Sequence, residues 1–238
     1  MRWRLCPAFA ACIASLLAGC AQVKPVPGLA EKGALPPEFP EAYYREAAAQ
    51  GKPVFRVDPK TSIVVIEVRR SGSLARLGHD HIVASHDVKG YVVPGDGRAD
   101  LYVPLAQLVV DEPALRAEAG LETQPSESDI AGTRSNMLNS VLEAERFPFA
   151  LIRVSGVDPR KGAGPINVAI TLHGTTRTPE VSAQIEASAD QLTGSGRFSF
   201  DQTDFGITPY SVLGGAVAVR NQVDLRFRIL ATRIGSQD

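Results

Sequence analysis

Three of the four histidines in this chain of 238 residues lie within eight positions, at His79, His81 and His86. Imidazole changes its charge near neutral pH and is the commonest metal ligand among side chains. The crowding therefore indicates metal binding, proton transfer or recognition of a polar group. Asp80 adds a carboxylate that can act as a metal ligand, a base or a hydrogen-bond acceptor. Which of these applies depends on the elements that carry the cluster.

An extended segment from His79 onward would divide the cluster between two faces, because side chains alternate along a strand. His79 and His81 share one face. Asp80, Ile82 and His86 share the other, which is the more apolar of the two. The sequence therefore predicts that the face with Ile82 points to the interior.

A metal site here would use His79 and His81, since a His-x-His pair on a strand puts two imidazoles on one side. Zinc needs three or four ligands, and His86 points the other way unless a bulge intervenes. His173 could approach from another strand, although its alternation there directs it away from that strand's apolar face. The enzyme hypothesis is a metal-dependent hydrolase with Asp80 or His86 as a further ligand or base. The structural alternative is a rim position at which neighbours satisfy the imidazoles.

The N-terminus has the pattern of a bacterial secretory signal. Arg2 and Arg4 precede an apolar run over 5–17, and Leu17-Ala18-Gly19-Cys20 follows. The run is too short for a transmembrane helix. Its ending resembles the lipobox of bacterial lipoproteins, which implies that 1–19 is removed and that Cys20 is acylated.

Several acyl chains give stable membrane anchoring where a single chain does not. Ala21, directly after the acylated cysteine, resembles the sorting pattern of outer-membrane lipoproteins. We therefore expect a protein that is lipid-anchored at the periplasmic face of the outer membrane.

Loss of such a signal changes the chemistry that is left. Cys6 and Cys12 leave with it and Cys20 is acylated, so no thiol remains for a disulfide, a nucleophile or a thiolate metal site. Without Arg2 and Arg4, the 25 basic residues become 23 against 26 acidic ones, a formal charge of −3. Such a chain lacks the concentrated positive charge that nucleic-acid binding requires.

Composition divides the rest of the chain into a tether and one domain. Residues 20–52 are rich in Pro and Ala and predict a lipidated N-terminus and tether, with a short helix over 38–50. Residues 53–233 have the length of a single domain, and 234–238 form a tail.

The domain's apolar residues recur mainly with period two, as in Val168-Ile170-Leu172 and Val223-Leu225-Phe227-Ile229. Helical crossovers are missing, which excludes a parallel α/β fold. We predict an all-β fold, an antiparallel barrel of about eight strands. A helical stripe over 133–147, with Thr133 as its N-cap, predicts a short helical excursion, and Gly194-Ser195-Gly196 predicts a hairpin turn.

Five motifs in order over about 180 residues resemble the YceI-like family of periplasmic polyisoprenoid-binding proteins. They are Phe55-Arg56-Val57-Asp58-Pro59, Gly90-Tyr91, Arg146-Phe147-Pro148, Leu172-His173-Gly174-Thr175-Thr176 and Asp204-Phe205-Gly206-Ile207. The resemblance implies a lipocalin-like barrel whose apolar lumen holds a polyisoprenoid or an isoprenoid quinone. It implies a binding protein rather than an enzyme, with that lipid as its partner and no other cofactor. The oligomeric state stays open.

On this interpretation the histidine cluster fixes the polar end of the lipid. The polar residues expected at that end are His79, Asp80, His81 and His86. The apolar residues expected to contact the lipid are Ile82, Phe149, Ile170, Leu172, Phe198, Phe200 and Phe227. The hydrolase and a surface scaffold without ligand remain the alternatives.

Overall fold

The computed structural model describes residues 35–121 and 123–235. The predicted signal segment, Cys20, the first part of the predicted tether and the last three residues lie outside the described residues. Within the described part of the chain, no helix has both the length and the apolar character needed to cross a membrane.

Antiparallel β-strands dominate the described chain. They are β1 (Phe55–Val57), β2 (Ile63–Val68), β3 (Arg70–Ser71), β4 (His81–Ser85), β5 (Lys89–Val93), β6 (Arg98–Pro104), β7 (Val109–Val110), β8 (Phe149–Ser155), β9 (Ala163–Leu172), β10 (Thr175–Arg177), β11 (Glu180–Ala187), β12 (Gln191–Asp201), β13 (Ser211–Val212), β14 (Val217–Val219) and β15 (Gln222–Arg233). The α-helices are α1 (Glu41–Ala49), α2 (Pro113–Glu118) and α3 (Glu127–Asn136). A π-helical turn over Met137–Val141 continues α3. Short 3-10 turns lie at Ala75–Leu77, Pro94–Asp96, Leu105–Gln107, Pro159–Lys161, Gln202–Phe205 and Leu213–Gly215.

Eight strands close into an antiparallel barrel, which confirms the predicted fold class. Their order is β1, β5, β6, β8, β9, β11, β12 and β15, and β15 pairs back to β1. Three strands continue this wall: β2 pairs with β15 and β4, and β4 pairs with β7. Strands β13, β14 and β3 form a small separate sheet. Closure pairs the strands all round, so the barrel wall has few free edges.

Packing differs between the two ends of the barrel interior. At one end the inward side chains fill the space, and Leu192, Ile229 and Ala231 are 5%, 8% and 0% exposed. We call this the packed end. At the other end Val68 and Leu172 pack against the same apolar cluster but keep partial exposure. We call this the cavity end.

The helix α1 begins at Glu41, close to the start expected from the sequence, and Gln50 caps its end. Phe39, Tyr44 and Ala47 are buried, and Tyr44 packs with Val54 and Val93 of the domain. The last third of the predicted tether therefore packs on the barrel, so the folded unit begins before the predicted boundary at residue 53.

The predicted helix start at Thr133 is wrong. The helix α3 begins after Ser126, whose hydroxyl accepts a hydrogen bond from the backbone of Asp129, while the Asp129 carboxylate caps Ser126 in return. This capping box is a polar pattern, so a search for an apolar stripe misses it. Thr133 lies inside the helix, and the π turn ends at Val141 rather than near Phe147.

The predicted hairpin turn at Gly194-Ser195-Gly196 is also wrong, because these residues lie inside β12. A Cβ atom on Gly196 would stand 2.6 Å from the carbonyl oxygen of Ser182 and 2.9 Å from the ring of Phe227. The glycine makes room for an inward aromatic ring across a strand pair, which is a packing requirement rather than a turn.

Candidate functional site

A cavity of about 380 Å³ lies where α3 and the small sheet meet the barrel wall. Its lining residues come from β2, β3, β4, β14, α3 and the π turn, and from the loop before β4, the 3-10 turn at Gln202–Phe205 and the loop before β13. His79 and His81 line it beside the apolar Val68 and Val83. The structure therefore brings together the two histidines that the sequence placed on one face.

The register of β4 decides which face is the interior. His81 pairs with Val68, and Val83 pairs with Ile66, and these apolar partners pack against the barrel's main core cluster. His81 therefore faces the lumen, and the prediction that the Ile82 face points inward is wrong. Ile82 is 1% exposed because the outer face of β4 is covered by another element.

That covering element is α2 and the residues after it. Ile82 and Ala84 form a second apolar cluster against Leu115, Ala119 and Leu121. An apolar outer face thus gains burial from a helix outside the barrel. Ile82, a predicted lipid contact, lies away from the cavity.

The imidazole of His81 is fixed from behind by Asp111. Its Nδ1 atom lies 2.6 Å from Oδ2 of Asp111, and the backbone N–H of Ile82 donates to Oδ1 of the same carboxylate at 2.9 Å. The His81 side chain keeps 14% exposure and that of Asp111 none. Nδ1 is therefore occupied, and Nε2 is the ring atom left for a ligand.

Asp111 is in turn paired with the buried Arg116. Nη1 of Arg116 donates to Oδ1 of Asp111 at 2.6 Å and to the carbonyl oxygen of Asp80 at 2.7 Å. The same guanidinium donates to the carbonyl oxygen of Thr123. Burying a charge is costly unless it is paired and hydrogen-bonded, and both conditions are met here.

Two further features mark Asp111 as a constrained position. Its φ is +57°, a left-handed conformation that non-glycine residues adopt at a cost of about 1–3 kcal/mol. Burial alone would raise the pKa of its carboxyl group. The hydrogen bonds from His81, Ile82 and Arg116 outweigh burial and hold that pKa below its ordinary value. The carboxylate is therefore ionised at neutral pH and can only accept hydrogen bonds.

The other two histidines serve elsewhere. His86 is half-exposed on the outer face of the barrel, with Nε2 2.7 Å from Glu112. His173 lies 3.0 Å from Glu143 and packs on the ring of Phe147. Across residues 35–121 and 123–235, no three His, Cys, Asp or Glu side chains converge as a metal site requires.

The YceI-like domain family matches residues 55–231, which run from the start of β1 to within two residues of the end of β15. This chain belongs to the YceI-like domain family. Among curated proteins none matches it.

Two solved structures share the fold of this YceI-like domain. One is a polyisoprenoid binding domain from Saccharophagus degradans implicated in plant cell wall breakdown, with a TM-score of 0.56 and 12% identity. The match covers 76% of this chain and 98% of that one. The other is BcnA from Burkholderia cenocepacia, with a TM-score of 0.51 and 15% identity, over 74% of this chain and 99% of that one. At these identities the likeness concerns the fold.

Most of the aromatic and aliphatic residues that were predicted to contact the lipid lie on the inner face of the YceI-like domain. Those that pack against the main core cluster are Ile170, Leu172, Phe198 and Phe227. Phe200 packs beside Phe198 in a tilted arrangement with ring centroids 6.0 Å apart. Phe149 instead lies on the outer face, edge-on to Tyr102 at 5.9 Å, so it is not brought together with the others.

Of the predicted polar residues, Asp80 and His86 lie away from the cavity. The Asp80 carboxylate accepts a hydrogen bond from the backbone N–H of Arg70 at 2.8 Å and holds the loop before β4. The YceI-like domain places only His79 and His81 of this group at the cavity.

Sequence reasoning missed Asp111, Arg116, Asp129 and Tyr210. Asp129 and Tyr210 line the cavity, whereas Asp111 and Arg116 hold His81 from behind. An available signal was the run Val109-Val110-Asp111-Glu112-Pro113, in which an acidic residue ends a short strand just before a helix with proline at N1. Its pairing with His81 spans 30 residues and depends on the barrel register.

Proposed function

We propose that this protein binds an isoprenoid lipid, with the apolar chain in the cavity end of the barrel and the polar end beside His81. The inner face that would hold the chain is apolar, and several of its side chains keep partial exposure. A barrel of about eight strands holds one small ligand only where its inward residues leave room.

The observation that carries the proposal is the cavity itself. It joins an apolar wall, represented by Val68, Val83 and Met137, to an imidazole held in one orientation. Apolar lining with a few fixed polar groups is the usual composition of a small-molecule site. The polyisoprenoid binding domain of Saccharophagus degradans has the same fold and adds support for the ligand class.

The cellular setting is part of the same proposal. The lipobox-like motif at Cys20 would anchor the protein in the outer membrane, facing the periplasm. The segment 21–34 would lead from the membrane to α1, whose aromatic residues pack on the barrel. A role in sequestering or carrying the lipid follows, and it needs no catalytic step.

A cavity-filling variant tests the proposal. Gly132 lines the cavity from α3, and a Cβ atom there would meet nothing within 4 Å. Leucine is a better helix former than glycine, so Gly132→Leu fills the cavity without weakening the helix. We expect isoprenoid lipid to copurify with the full-length wild-type protein and to fall at least tenfold in Gly132→Leu, as measured by mass spectrometry of extracted lipids.

The neighbouring exposed Ala131, which does not line the cavity, gives the matched control. Ala131→Leu adds the same side chain to the same helix and should keep the wild-type lipid content. A wild-type protein from its own host without isoprenoid lipid would contradict the proposal. Elemental analysis of the same samples tests the rival hypothesis of a metal-dependent hydrolase. That hypothesis requires stoichiometric bound metal that disappears in His79→Ala or His81→Ala.

A further inference from the structure

The hydrogen bonds around His81 determine which of its ring nitrogens carries the proton. In a neutral imidazole one nitrogen donates and the other accepts. The ionised carboxylate of Asp111, 2.6 Å from Nδ1, can only accept. The network therefore assigns the proton to Nδ1 and leaves a lone pair on Nε2.

Arg116 removes the need for a charged imidazole. Its guanidinium lies 2.6 Å from Asp111 and is itself buried, so the negative charge of Asp111 is already balanced. His81 then acts toward Asp111 as a neutral donor. Toward the cavity, the ring therefore presents a hydrogen-bond acceptor, its Nε2 atom.

Nε2 of His81 is open to a ligand. It has no hydrogen-bond partner among the described residues, and in that part of the chain no side-chain nitrogen or oxygen is both buried and unpartnered. The atom is therefore accessible, and the accessible space beside this ring is the cavity that it lines.

A donor stands in the same cavity. The hydroxyl of Tyr210 accepts a hydrogen bond from Nδ2 of Asn136 at 3.1 Å, which leaves its own proton free to donate. Tyr210 and His81 both line the cavity. One acceptor and one donor match a hydroxyl group, which can donate and accept at once.

The charges around the cavity disfavour an anionic end. The Asp129 carboxylate and the Arg70 side chain both line it, and the Arg70 guanidinium already donates to the carbonyl oxygen of Gly78 at 2.9 Å and lies near the Asp80 carboxylate. An acceptor nitrogen and a carboxylate would both repel a diphosphate.

We propose that the polar end of the bound lipid is a hydroxyl group that donates its proton to Nε2 of His81, as the end of a prenyl alcohol or of an isoprenoid hydroquinone can. The inference rests on the proposed function, because it names the chemistry at the same site. Asp111 and Arg116 are positioning residues: they fix the tautomer and do not touch the lipid.

Short water-soluble probes test this on the full-length protein by isothermal titration calorimetry. We expect geraniol to bind at least tenfold more tightly than geranyl methyl ether, which has the same chain but no proton to donate, and more tightly than geranyl diphosphate. His81→Phe should bring the alcohol-to-ether ratio close to one. His86→Phe, the same change at the carboxylate-paired histidine on the outer face, should leave the ratio unchanged.

A second variant, Asp111→Asn, changes a quantity that would stay the same if Asp111 only stabilised the fold. The amide oxygen would keep the donors that now reach Oδ1, from Ile82 and Arg116, so the amide N–H₂ would face Nδ1 of His81. The imidazole proton would then sit on Nε2 and the cavity would present a donor. We expect ¹⁵N chemical shifts to show the exchanged tautomer and the preference to move toward the ether. If this variant does not fold, His81→Phe still decides the question.

A second probe pair separates the two sources of the hydroxyl group. Menadiol and menadione, compared without oxygen, differ in the phenolic protons that a hydroquinone would donate. Preference for geraniol alone points to a prenyl alcohol, and preference for menadiol alone to a hydroquinone. Equal wild-type affinity for alcohol and ether and for menadiol and menadione would overturn the hydroxyl inference and leave lipid binding intact. Absence of binding by every probe would overturn the proposed function together with it.

Discussion

The packed end and the cavity end of the barrel are built from the same strands, yet only the packed end is filled. Along β15, Ile229 and Ala231 are almost fully buried at the packed end, Phe227, one inward step away, keeps partial exposure, and Val223 near the start of the strand is buried again. Alternation places all four on the inner face, so patterning alone does not create the difference. It arises from what closes each end.

Different elements close the two ends. At the packed end the inward side chains meet one another. At the cavity end α3 and the small sheet lie across the barrel and leave about 380 Å³ between them and the wall. The buried polar groups differ between the two ends as well. At the cavity end the imidazole of His81 faces the lumen, whereas at the packed end the buried carboxylate of Asp100 lies on the outer face of the barrel wall.

The largest difference is expected between two buried carboxylates. Asp111→Ala leaves the guanidinium of Arg116 buried without its partner, and such a loss costs about 3–5 kcal/mol of unfolding free energy. Asp100→Ala frees Arg98 and Arg153, whose side chains reach solvent, and leaves the buried Tyr44 hydroxyl without its acceptor, so about 1–3 kcal/mol is expected. Urea unfolding of both variants measures this. Equal losses would mean that Arg116 can also reach water.

A pair of isoleucines tests the packing itself. Ile185 is 7% exposed at the packed end, and Ile185→Ala should cost about 2–5 kcal/mol through lost burial and the void left behind. Ile170 faces the half-open part of the lumen, so Ile170→Ala removes fewer contacts and should cost less than half as much. The comparison uses the free energy of unfolding without added lipid. A cost as large at Ile170 would show that the cavity end is packed too.

Acid should weaken both ends, with the smallest effect near neutral pH. Burial raises the pKa of Asp100, but hydrogen bonds from Arg98, Arg153 and Tyr44 outweigh it, so its pKa, like that of Asp111, is lowered. A carboxyl group with a lowered folded-state pKa stabilises the fold fully above its unfolded pKa of about 4. That stability is lost as the pH falls through the folded-state pKa.

Thermal unfolding between pH 7 and pH 2 measures this loss. We expect little change from pH 7 to 5 and a progressive fall below about pH 4. In Asp111→Asn and in Asp100→Asn, the fall of the unfolding temperature below about pH 4 should be smaller than in wild type. An equally large fall in Asp111→Asn would mean that the carboxyl group of Asp111 is not held ionised by the His81 and Arg116 hydrogen bonds.

The candidate site was only partly predictable, for reasons that particular residues show. Strand alternation, which is local, predicted that His79 and His81 share a face, and both line the cavity, although β4 begins only at His81. The prediction of the interior face of β4 was wrong. The outer face, with Ile82 and Ala84, is the more apolar one because α2 and the residues after it cover that face from outside the barrel. Phe149 was misplaced for a related reason, because it packs beside Tyr102 on the outer surface.

By itself the sequence determined the class of fold, since period-two apolar runs without helical crossovers require an antiparallel sheet, and its five motifs indicated the family that residues 55–231 match. The orientation of His81 was decided only by tertiary structure. Its partner Asp111 lies 30 residues away and meets it through strand register, and Arg116 reaches Asp111 and the carbonyl oxygen of Asp80 from a helix outside the barrel. Hydrogen bonds between residues so far apart in sequence depend on how the whole barrel closes, and local sequence patterns do not predict them.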